Sequence, residues 1–416
     1  MMLKKGIAVV FIYFLIWMSY TNTKVFNQTD SIWSIYSTLS LVRENNLDLD
    51  EYKDLFPKAF YANLTQANGH YYNYYPYGVS LLAYPYIWII DKSYSLNHKD
   101  LKEKILSTST VNLEKTIAAS LLALSACILF LLSLKELNSY LNSFLTVFIF
   151  AFATLNFSVL SRGLWQHTGS VFLLMLVLYL FHSKKDTLIT LSAFPLFFSY
   201  VVRPTNLLPI LFLGLIAIYQ LRFKSIYFLG IGIVILSSFF YTNSVLFGTM
   251  SHPYYDFKKV GGSNTFLEAI LGNAISPARG ILFYSPVFLF SFYGLYSKIK
   301  KEKFQTLDFA IIVLILTHWI LVSRNLNWWG GHCFGYRLLS DLIPFFIYYL
   351  IYFIKEIDWK VKSPILFLFI LSLFISLFIN LKGATEMNSY NWNLIPSNID
   401  TDPKRLWDLQ DLPFLR

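Results

Sequence analysis

Apolar stretches long enough to cross a lipid bilayer recur along nearly the whole chain. A transmembrane helix needs about 20 predominantly apolar residues to cross about 30 Å of hydrocarbon. The sequence predicts about eleven such spans, near residues 6–20, 114–134, 142–160, 166–182, 187–202, 205–221, 226–245, 283–297, 307–323, 338–354 and 364–380. We therefore expect an all-α integral membrane bundle.

The overall composition excludes the other common classes of protein. Only 14% of the 416 residues are charged and 56% are hydrophobic, whereas a soluble domain carries about 25% charged residues. The high apolar content also excludes a disordered chain. Two cysteines, Cys127 and Cys333, are too few for a disulfide framework, and Cys127 lies inside an apolar stretch.

The distribution of lysine and arginine predicts the orientation of the spans. The first span follows Lys4 and Lys5 and lacks a small-x-small cleavage site, which indicates an uncleaved signal anchor with a cytoplasmic N-terminus. The loops then expected in the cytoplasm are short and basic, as the positive-inside rule requires. They carry Lys135, Lys184, Lys185, Arg222, Lys224, Lys298, Lys300, Lys301, Lys303, Lys355, Lys360 and Lys362. The net charge of +10 therefore reports topology, and no nucleic-acid partner is expected.

This topology gives one multispan membrane domain, residues 1–380, followed by a short outside tail, residues 381–416. The first outside loop, residues 21–113, is long, and further outside loops cover residues 246–282 and 324–337. Binding and catalytic residues concentrate in loops held by a rigid scaffold. Function is therefore expected on the outside, because the cytoplasmic loops are too short to hold a site.

Asp30 is an isolated acid about ten residues beyond the first span. It precedes apolar residues at helical spacing, from Ile32 to Val42, which predict an amphipathic helix on the membrane surface. One interpretation is that Asp30 caps the N-terminus of this helix. The other is that it acts as a functional acid at the outer face.

An aromatic segment, residues 69–78, precedes a second apolar stretch in the same loop, Val79–Ile90. That stretch is too short to span the bilayer and is interrupted by Pro85, so it predicts an interfacial or re-entrant helix. Tyrosine and tryptophan are enriched at membrane interfaces in any case. The same rings would also make stacking platforms for sugars.

Several cationic side chains at the outer ends of predicted spans oppose the orientation signal. They are Arg162, His167, Arg203, Arg279, Arg324 and Arg337. Snorkelling to the interface, or pairing with an acid such as Asp341, would explain any one of them. A shared anion site is the alternative, because guanidinium groups bind phosphate in a fork geometry and ionisable residues at membrane depth are functional candidates.

The glycine and aromatic cluster at residues 328–335 could be taken for a nucleotide-binding loop or a zinc site, but its sequence context excludes both. A nucleotide-binding loop requires a strand–turn–helix unit, and none is predicted here. His332 and Cys333 are adjacent and therefore lack the spacing of zinc ligands. No resident metal site is predicted from this cluster.

Five sequence blocks resemble segments of the GT-C membrane glycosyltransferases. They are GHYYNYYPYGVSLLAYPY (69–86), SRGLWQH (161–167), RPT (203–205), SPARGILFYSP (276–286) and WWGGHCFGYRLLSDLIP (328–344). The short first span, the acid in the following loop and the surface helix are also similar to that family. The resemblance covers nearly the whole chain, and it extends to the phage-encoded O-antigen glucosyltransferases that convert bacterial serotype.

The resemblance implies a hexosyltransferase of the bacterial inner membrane, with its active site facing the periplasm. The donor would be undecaprenyl phosphate carrying a hexose such as glucose, and the acceptor a periplasmic glycan such as O-antigen or lipopolysaccharide. Asp30 would be the base of an inverting displacement. Arg203, Arg279 and Arg337 would bind the donor phosphate, with Arg162 and His167 as second choices.

The two aromatic blocks supply the candidates for sugar binding. These are His70, Tyr72, Tyr75, Trp328, Trp329 and His332. The scheme requires no cofactor. Some relatives use a divalent ion, for which Asp30 with Asp48 or Asp50 would offer oxygen ligands.

Two other functions fit a chain of this composition. An O-antigen polymerase or ligase also handles lipid-linked sugars, but its large outside loop usually comes late in the chain, whereas here it follows the first span. A transporter or flippase of lipid-linked sugars places charges at the bilayer midplane, often in repeated halves. Here the charges lie at the outer ends of the predicted spans.

Overall fold

The fold is nearly all-α, with 74% of the structure helical. The computed structural model describes residues 2–25, 30–55, 63–107, 110–255, 265–302, 304–357, 359 and 363–416. Within these residues the strands form one antiparallel hairpin, β1 (Leu64–Ala67) and β2 (His70–Asn73), in the first predicted outside loop. Lys303, Lys360 and Lys362 of the predicted cytoplasmic loops lie outside the described residues.

Each of the eleven apolar stretches contains α-helix, as expected where backbone polar groups must be satisfied within the segment. The α-helices are α1 (Met2–Thr21), α2 (Ser34–Arg43), α3 (Gly78–Leu96), α4 (Leu101–Ser107), α5 (Val111–Leu137), α6 (Tyr140–Phe152), α7 (Gln166–His182), α8 (Asp186–Leu191), α9 (Ala193–Val202), α10 (Leu207–Leu221), α11 (Ser225–Phe247), α12 (Phe266–Ile275), α13 (Ile281–Tyr284), α14 (Leu289–Glu302), α15 (Thr306–Ser323), α16 (Ile343–Glu356), α17 (Pro364–Thr385) and α18 (Asn388–Asn391).

Six helical segments of the described chain are long and apolar enough to cross a membrane, which is compatible with a multi-pass membrane protein. They are Leu3–Thr21, Val111–Leu137, Pro204–Phe247, Thr306–Ser323, Arg337–Glu356 and Pro364–Thr385. Pro204–Phe247 contains both α10 and α11, which meet where Arg222 has a φ of 51°. The predicted count of eleven spans is not confirmed, because α6, α7 and other apolar helices are only 10–17 residues long.

The structure of the first predicted outside loop corrects two expectations. The predicted helix is present, but it begins at Ser34 with Trp33 in the N-cap position, so Asp30 is not its cap. Asp30 lies in the turn before the helix, and its carboxylate contacts Arg337, which is far away in the sequence. Pro85 does not end α3, because it removes only one backbone donor and α3 is packed against α2.

Helix α16 lies in the core of the bundle. Its residues from Ile343 to Ile354 are all buried, and it contacts α5, α6, α7 and α14. At Gly294 of α14 the two helices lie so close that an added Cβ would be 2.0 Å from the Tyr349 carbonyl oxygen. Small residues permit such close packing of membrane helices.

Polar clusters occupy both ends of α7. Near its start, the His167 ring hydrogen-bonds Ser340 at 3.0 Å. At its end, His182 contacts Glu136 at 2.8 Å, and Lys355 of α16 contacts the same carboxylate at 3.5 Å. Because an α-helix rises 1.5 Å per residue, the two histidines are about 22 Å apart along the helix. The fold therefore separates two polar faces by a mostly apolar interior.

Candidate functional site

An ion pair joins the first predicted outside loop to the segment before α16. The Arg337 Nη1 donates to the Asp30 Oδ2 at 2.6 Å, and the two side chains are 12% and 27% exposed. The Arg337 Nη2 donates to the Gly330 carbonyl at 2.7 Å, and the guanidinium lies 4.8 Å from the Trp165 ring centre. A partly exposed acid and a cation with a planar donor fork therefore meet at one place.

A second, more deeply buried ion pair lies beside the first. The Arg203 Nη1 is 3.1 Å from the Asp341 Oδ2, and both side chains are almost fully buried. The Thr205 hydroxyl donates to the same carboxylate at 3.3 Å, and the His318 Nε2 lies 3.8 Å from it. The charge of Arg203 is thus compensated within the protein, as a buried cation requires.

A short 3₁₀ helix, Arg337–Leu342, connects the two ion pairs. The Ser340 hydroxyl donates to the Arg337 carbonyl at 2.7 Å and hydrogen-bonds the His167 Nδ1 at 3.0 Å. The same ring nitrogen contacts the Arg203 guanidinium. One turn of backbone therefore fixes Arg337 relative to both Arg203 and His167.

Two tyrosines border the Asp30 carboxylate. The rings of Tyr75 and Tyr254 are 5.2 Å apart. Burial raises the pKa of Tyr75, as does the nearby Asp30 carboxylate, to which the Tyr75 hydroxyl donates. Burial also raises the pKa of Tyr254, although the Arg203 charge acts against this, and the Tyr254 side chain hydrogen-bonds Gln166. Both groups remain neutral phenols, able to donate a hydrogen bond, at neutral pH.

Tyr254 was not among the residues predicted from the sequence, although its position in the chain pointed to a functional role. The residue belongs to the predicted outside loop 246–282, which was expected to carry function, and it lies beside another aromatic, Tyr255. No spacing rule links it to Asp30, because the two residues meet only through tertiary packing.

Glu114 holds the segment that carries Asp30. It is fully buried in the first turn of α5. Its carboxylate accepts a hydrogen bond from the Ser31 hydroxyl at 2.5 Å and from the Leu164 amide at 3.2 Å. It therefore ties the residue after Asp30 to the chain just before Trp165. Sequence reasoning missed this residue, and the available signal was an acid at the start of an otherwise apolar span.

Arg279 occupies a different environment from Arg203 and Arg337. Its Nε donates to the Trp329 carbonyl at 2.8 Å, and its Nη2 donates to the Gly331 carbonyl at 3.1 Å and the Asn393 side chain at 2.6 Å. Within the described chain it forms no ion pair with an acid. Its predicted role in binding phosphate stays a prediction, while its observed contacts are with backbone carbonyls and the tail.

Arg162 is fully buried, and not all of its guanidinium nitrogens have a hydrogen-bond partner among the described residues. Its Nε and Nη2 donate to the Ser161 hydroxyl at 3.0 and 2.6 Å, and its guanidinium lies 5.7 Å from the Phe157 ring centre. Its Nη1 has no hydrogen-bond partner among the described residues. The structure therefore leaves the second-choice assignment of Arg162 to phosphate binding as a prediction.

The candidates for sugar binding in the first predicted outside loop do not lie together. Tyr75 lies beside Asp30, as described above. His70 instead contacts Asp50 at 2.8 Å, and Tyr72 is buried with its ring 5.2 Å from Phe247. Residues 70–73 of the tyrosine-rich block therefore form one strand of a folded hairpin, in which Tyr72 is buried and His70 is exposed.

The candidates near residue 330 pack against the C-terminal tail. Trp328 is 2% exposed, and an added Cβ at Gly272 would lie 2.1 Å from its ring, so the side chain serves the core rather than an accessible sugar platform. Trp329 donates to Asp400 at 2.8 Å, and the ring of His332 hydrogen-bonds Asn398 at 2.9 Å.

Three possible metal ligands of the described chain lie together, but Asp30 is not one of them. Ligand atoms of Asp48, Asp50 and His70 all lie within 4.8 Å of one another. Burial raises the pKa of Asp50, but hydrogen bonds from the Tyr71 amide and His70 and the charge of Lys53 outweigh it and leave that pKa below its ordinary value. The protein itself thus compensates the carboxylate. The expected grouping of Asp30 with Asp48 or Asp50 is not observed.

Comparison with known proteins assigns the chain to no family. No family model, curated protein or solved structure matches it. The resemblance to the GT-C glycosyltransferases therefore rests on the sequence blocks, and the activity that it implies is a proposal.

Proposed function

We propose that the protein is a membrane hexosyltransferase that uses a polyprenyl-phosphate sugar and belongs to the GT-C class. The observation that carries the proposal is the meeting of Asp30 with Arg337, beside Arg203. A transferase of this kind needs a base for the acceptor hydroxyl and cations for the departing phosphate. Both requirements are met at one place by residues that the sequence had singled out independently.

The arrangement of the sequence blocks adds support. Block 69–86 contributes Tyr75, block 161–167 contributes His167, block 203–205 contributes Arg203, and block 328–344 contributes Arg337. These residues surround the two ion pairs. Their convergence from distant positions in the chain favours a shared functional reason for the blocks.

We further propose eleven spans, with the N-terminus in the cytoplasm and the site facing the periplasm of a bacterial inner membrane. Two observations support this count. Pro204–Phe247, at 44 residues, is long enough for two crossings and is divided near Arg222. The ends of α5, α7, α14 and α16 that carry Glu136, His182, Glu302 and Lys355 are joined in one network, as a common cytoplasmic face requires.

The proposed reaction is a single displacement. The acceptor hydroxyl oxygen attacks the anomeric carbon of the donor hexose, and its proton passes to the Asp30 carboxylate. The bond between that carbon and the phosphate oxygen breaks, and the electron pair leaves with undecaprenyl phosphate. Arg337 stabilises the growing phosphate charge, and Arg203, paired with Asp341, supports the position of Arg337 through His167 and Ser340. Tyr75 and Tyr254 offer neutral hydroxyl donors. The anomeric configuration is inverted.

The contact between Asp30 and Arg337 also suggests an order of events. While Asp30 and Arg337 are paired, Arg337 donates a hydrogen bond to the carboxylate that must accept the proton. A donor phosphate offers Arg337 a competing anion, and guanidinium forks bind phosphate well. Binding of the donor would therefore release Asp30 for the acceptor, which is taken to be a periplasmic glycan such as O-antigen or lipopolysaccharide.

The direct test is transfer by membranes that contain the full-length protein. Labelled undecaprenyl-phosphate glucose is supplied with lipopolysaccharide, and the gain of one hexose is measured by mass. The wild-type protein should transfer the label, and Asp30→Asn should lower the rate by about 100-fold or more. The matched control is Asp54→Asn, the same change at an exposed acid of the same loop.

The outcomes separate the alternatives. Normal transfer by the Asp30→Asn protein would remove Asp30 as the base. Joining of whole glycan chains, instead of addition of single hexoses, would indicate a polymerase or ligase. Movement of the lipid-linked sugar across the membrane without transfer would indicate a flippase.

A further inference from the structure

The contacts of Arg279 assign it a role other than binding the donor. We propose that Arg279 is a positioning residue, which fixes the turn at residues 329–331 and through it the guanidinium of Arg337. This inference rests on the proposed function, because it concerns the same phosphate-binding cation. Its test is designed so that the two can fail separately.

The turn lies between two arginines. Arg279 donates to the carbonyls of Trp329 and Gly331, at 2.8 and 3.1 Å. Arg337 donates to the carbonyl between them, that of Gly330, at 2.7 Å. Three successive carbonyls are thus held by two guanidinium groups, so a shift of the turn on one side moves the acceptor that aligns Arg337 on the other.

The turn needs an external brace because of its sequence. Gly330 and Gly331 both have positive φ, 74° and 66°, which glycine adopts without steric cost. The same freedom leaves glycine with the largest entropy to lose on ordering. Two backbone hydrogen bonds hold part of the turn, from the Gly330 amide to the Asn327 carbonyl and from the Cys333 amide to the Gly331 carbonyl, both at 2.9 Å. Hydrogen bonds from the buried Arg279 side chain add to this order.

The C-terminal tail completes the brace. The Asn393 Oδ1 accepts from the Arg279 Nη2 at 2.6 Å, and the Arg279 guanidinium lies 5.6 Å from the Trp392 ring centre. Asp400 accepts from the Trp329 indole at 2.8 Å. The tail, which the sequence presented only as a short outside extension, therefore holds the turn from two directions.

The hydrogen bonds that Arg279 already donates to the protein argue against direct binding of phosphate. The residue is 1% exposed, and its Nε, Nη1 and Nη2 all already donate to oxygen atoms of the protein. An incoming phosphate would have to replace these bonds. The Arg337 side chain is more accessible, at 12% exposed, although its unpartnered Nε is itself buried.

The test is a double-mutant cycle on binding of undecaprenyl phosphate to the purified full-length protein in lipid nanodiscs. Arg279→Gln should weaken binding about tenfold, and Arg337→Gln should weaken it at least as much. If Arg279 acts through Arg337, adding Arg279→Gln to Arg337→Gln should change the dissociation constant less than twofold. Arg279→Lys should restore little, because one ammonium does not reproduce the fork that holds two carbonyls.

Three outcomes would overturn the inference. Losses of affinity that add in the double variant would show that Arg279 acts independently of Arg337. Unchanged binding in Arg279→Gln would show that the brace is dispensable, and full binding by Arg279→Lys would show that its fork geometry does not matter.

If Arg279→Gln does not fold, a milder variant tests the same inference. Asn393→Ala removes only the contact from the tail and should weaken binding about threefold in the wild-type background and not in Arg337→Gln. Binding is measured without turnover, so the mutant cycle does not depend on transfer. A wild-type protein that binds the lipid but transfers no sugar would overturn the proposed function. The mutant cycle would still test whether Arg279 positions Arg337.

Discussion

Asp30 and Arg337 form an ion pair at 2.6 Å although 307 positions of sequence separate them. Asp30 lies in a turn, and Arg337 is the first residue of a short 3₁₀ helix. Glu114 anchors the chain beside Asp30, and the turn braced by Arg279 aligns Arg337. The pair is therefore a product of long-range packing.

The buried pair of Arg203 and Asp341 should be a stability determinant as well as part of the site. Asp341→Asn leaves a buried guanidinium without its counter-charge, which typically costs about 3–5 kcal/mol. We expect a large drop in the melting temperature of the purified protein in detergent. As a control, Asp186→Asn at the exposed pair with Lys224 should leave the melting temperature nearly unchanged. Equal shifts in both variants would show that the buried pair contributes no more to stability than an exposed one.

Glu114 should matter for transfer although it is not expected to touch the substrate. Glu114→Gln weakens the hold on Ser31, and displacement of a reacting group by about 1 Å costs up to about 100-fold in rate. We expect the transfer rate to fall between about tenfold and about 100-fold. Ser31→Ala should give little further loss in that background. Glu103→Gln, at an exposed position of the same loop, is the control, and an equal loss there would argue against the anchor.

The Tyr254 hydroxyl should contribute to binding of the donor. Tyr254→Phe keeps the ring packed against Tyr75 but removes the hydroxyl. Because a hydrogen bond to a charged group contributes about 1.5–3 kcal/mol, we expect the KM for the lipid-linked sugar to rise about tenfold or more. Tyr241→Phe, at a side chain that is 72% exposed on α11, is the matched control. An unchanged KM in Tyr254→Phe would remove this residue from the site.

The odd number of proposed spans predicts opposite locations for two reporters. A fusion after Arg416 should report the periplasm, and a fusion inserted at Lys224 should report the cytoplasm. Phosphatase and fluorescent-protein fusions measure the two sides in complementary fashion. A cytoplasmic signal from the C-terminal fusion would refute the count of eleven.

The pattern of apolar residues was sufficient to predict the helical class but not the helix limits. The stretch 142–160 overlaps α6, which ends at Phe152, and the stretch 283–297 overlaps α14, which begins at Leu289. Each apolar stretch is helical because it has to satisfy its own backbone polar groups. The isolation of Asp30 and the positions of Arg203 and Arg337 were also visible, since charges are rare in such a chain. Local spacing was less informative for Asp30, because it suggested a helix cap where the structure has an ion pair.

The order of residues along the chain is therefore enough to identify apolar helices and the few charges that stand out at their ends. Which acid meets which cation depends on the tertiary structure. It placed Asp30 on Arg337 and Asp341 on Arg203, turned Arg279 toward the carbonyls of a glycine turn, and buried Trp328 in the core. The physical reason is that hydrophobic periodicity is a local property, whereas the partner of a charge depends on how distant segments pack.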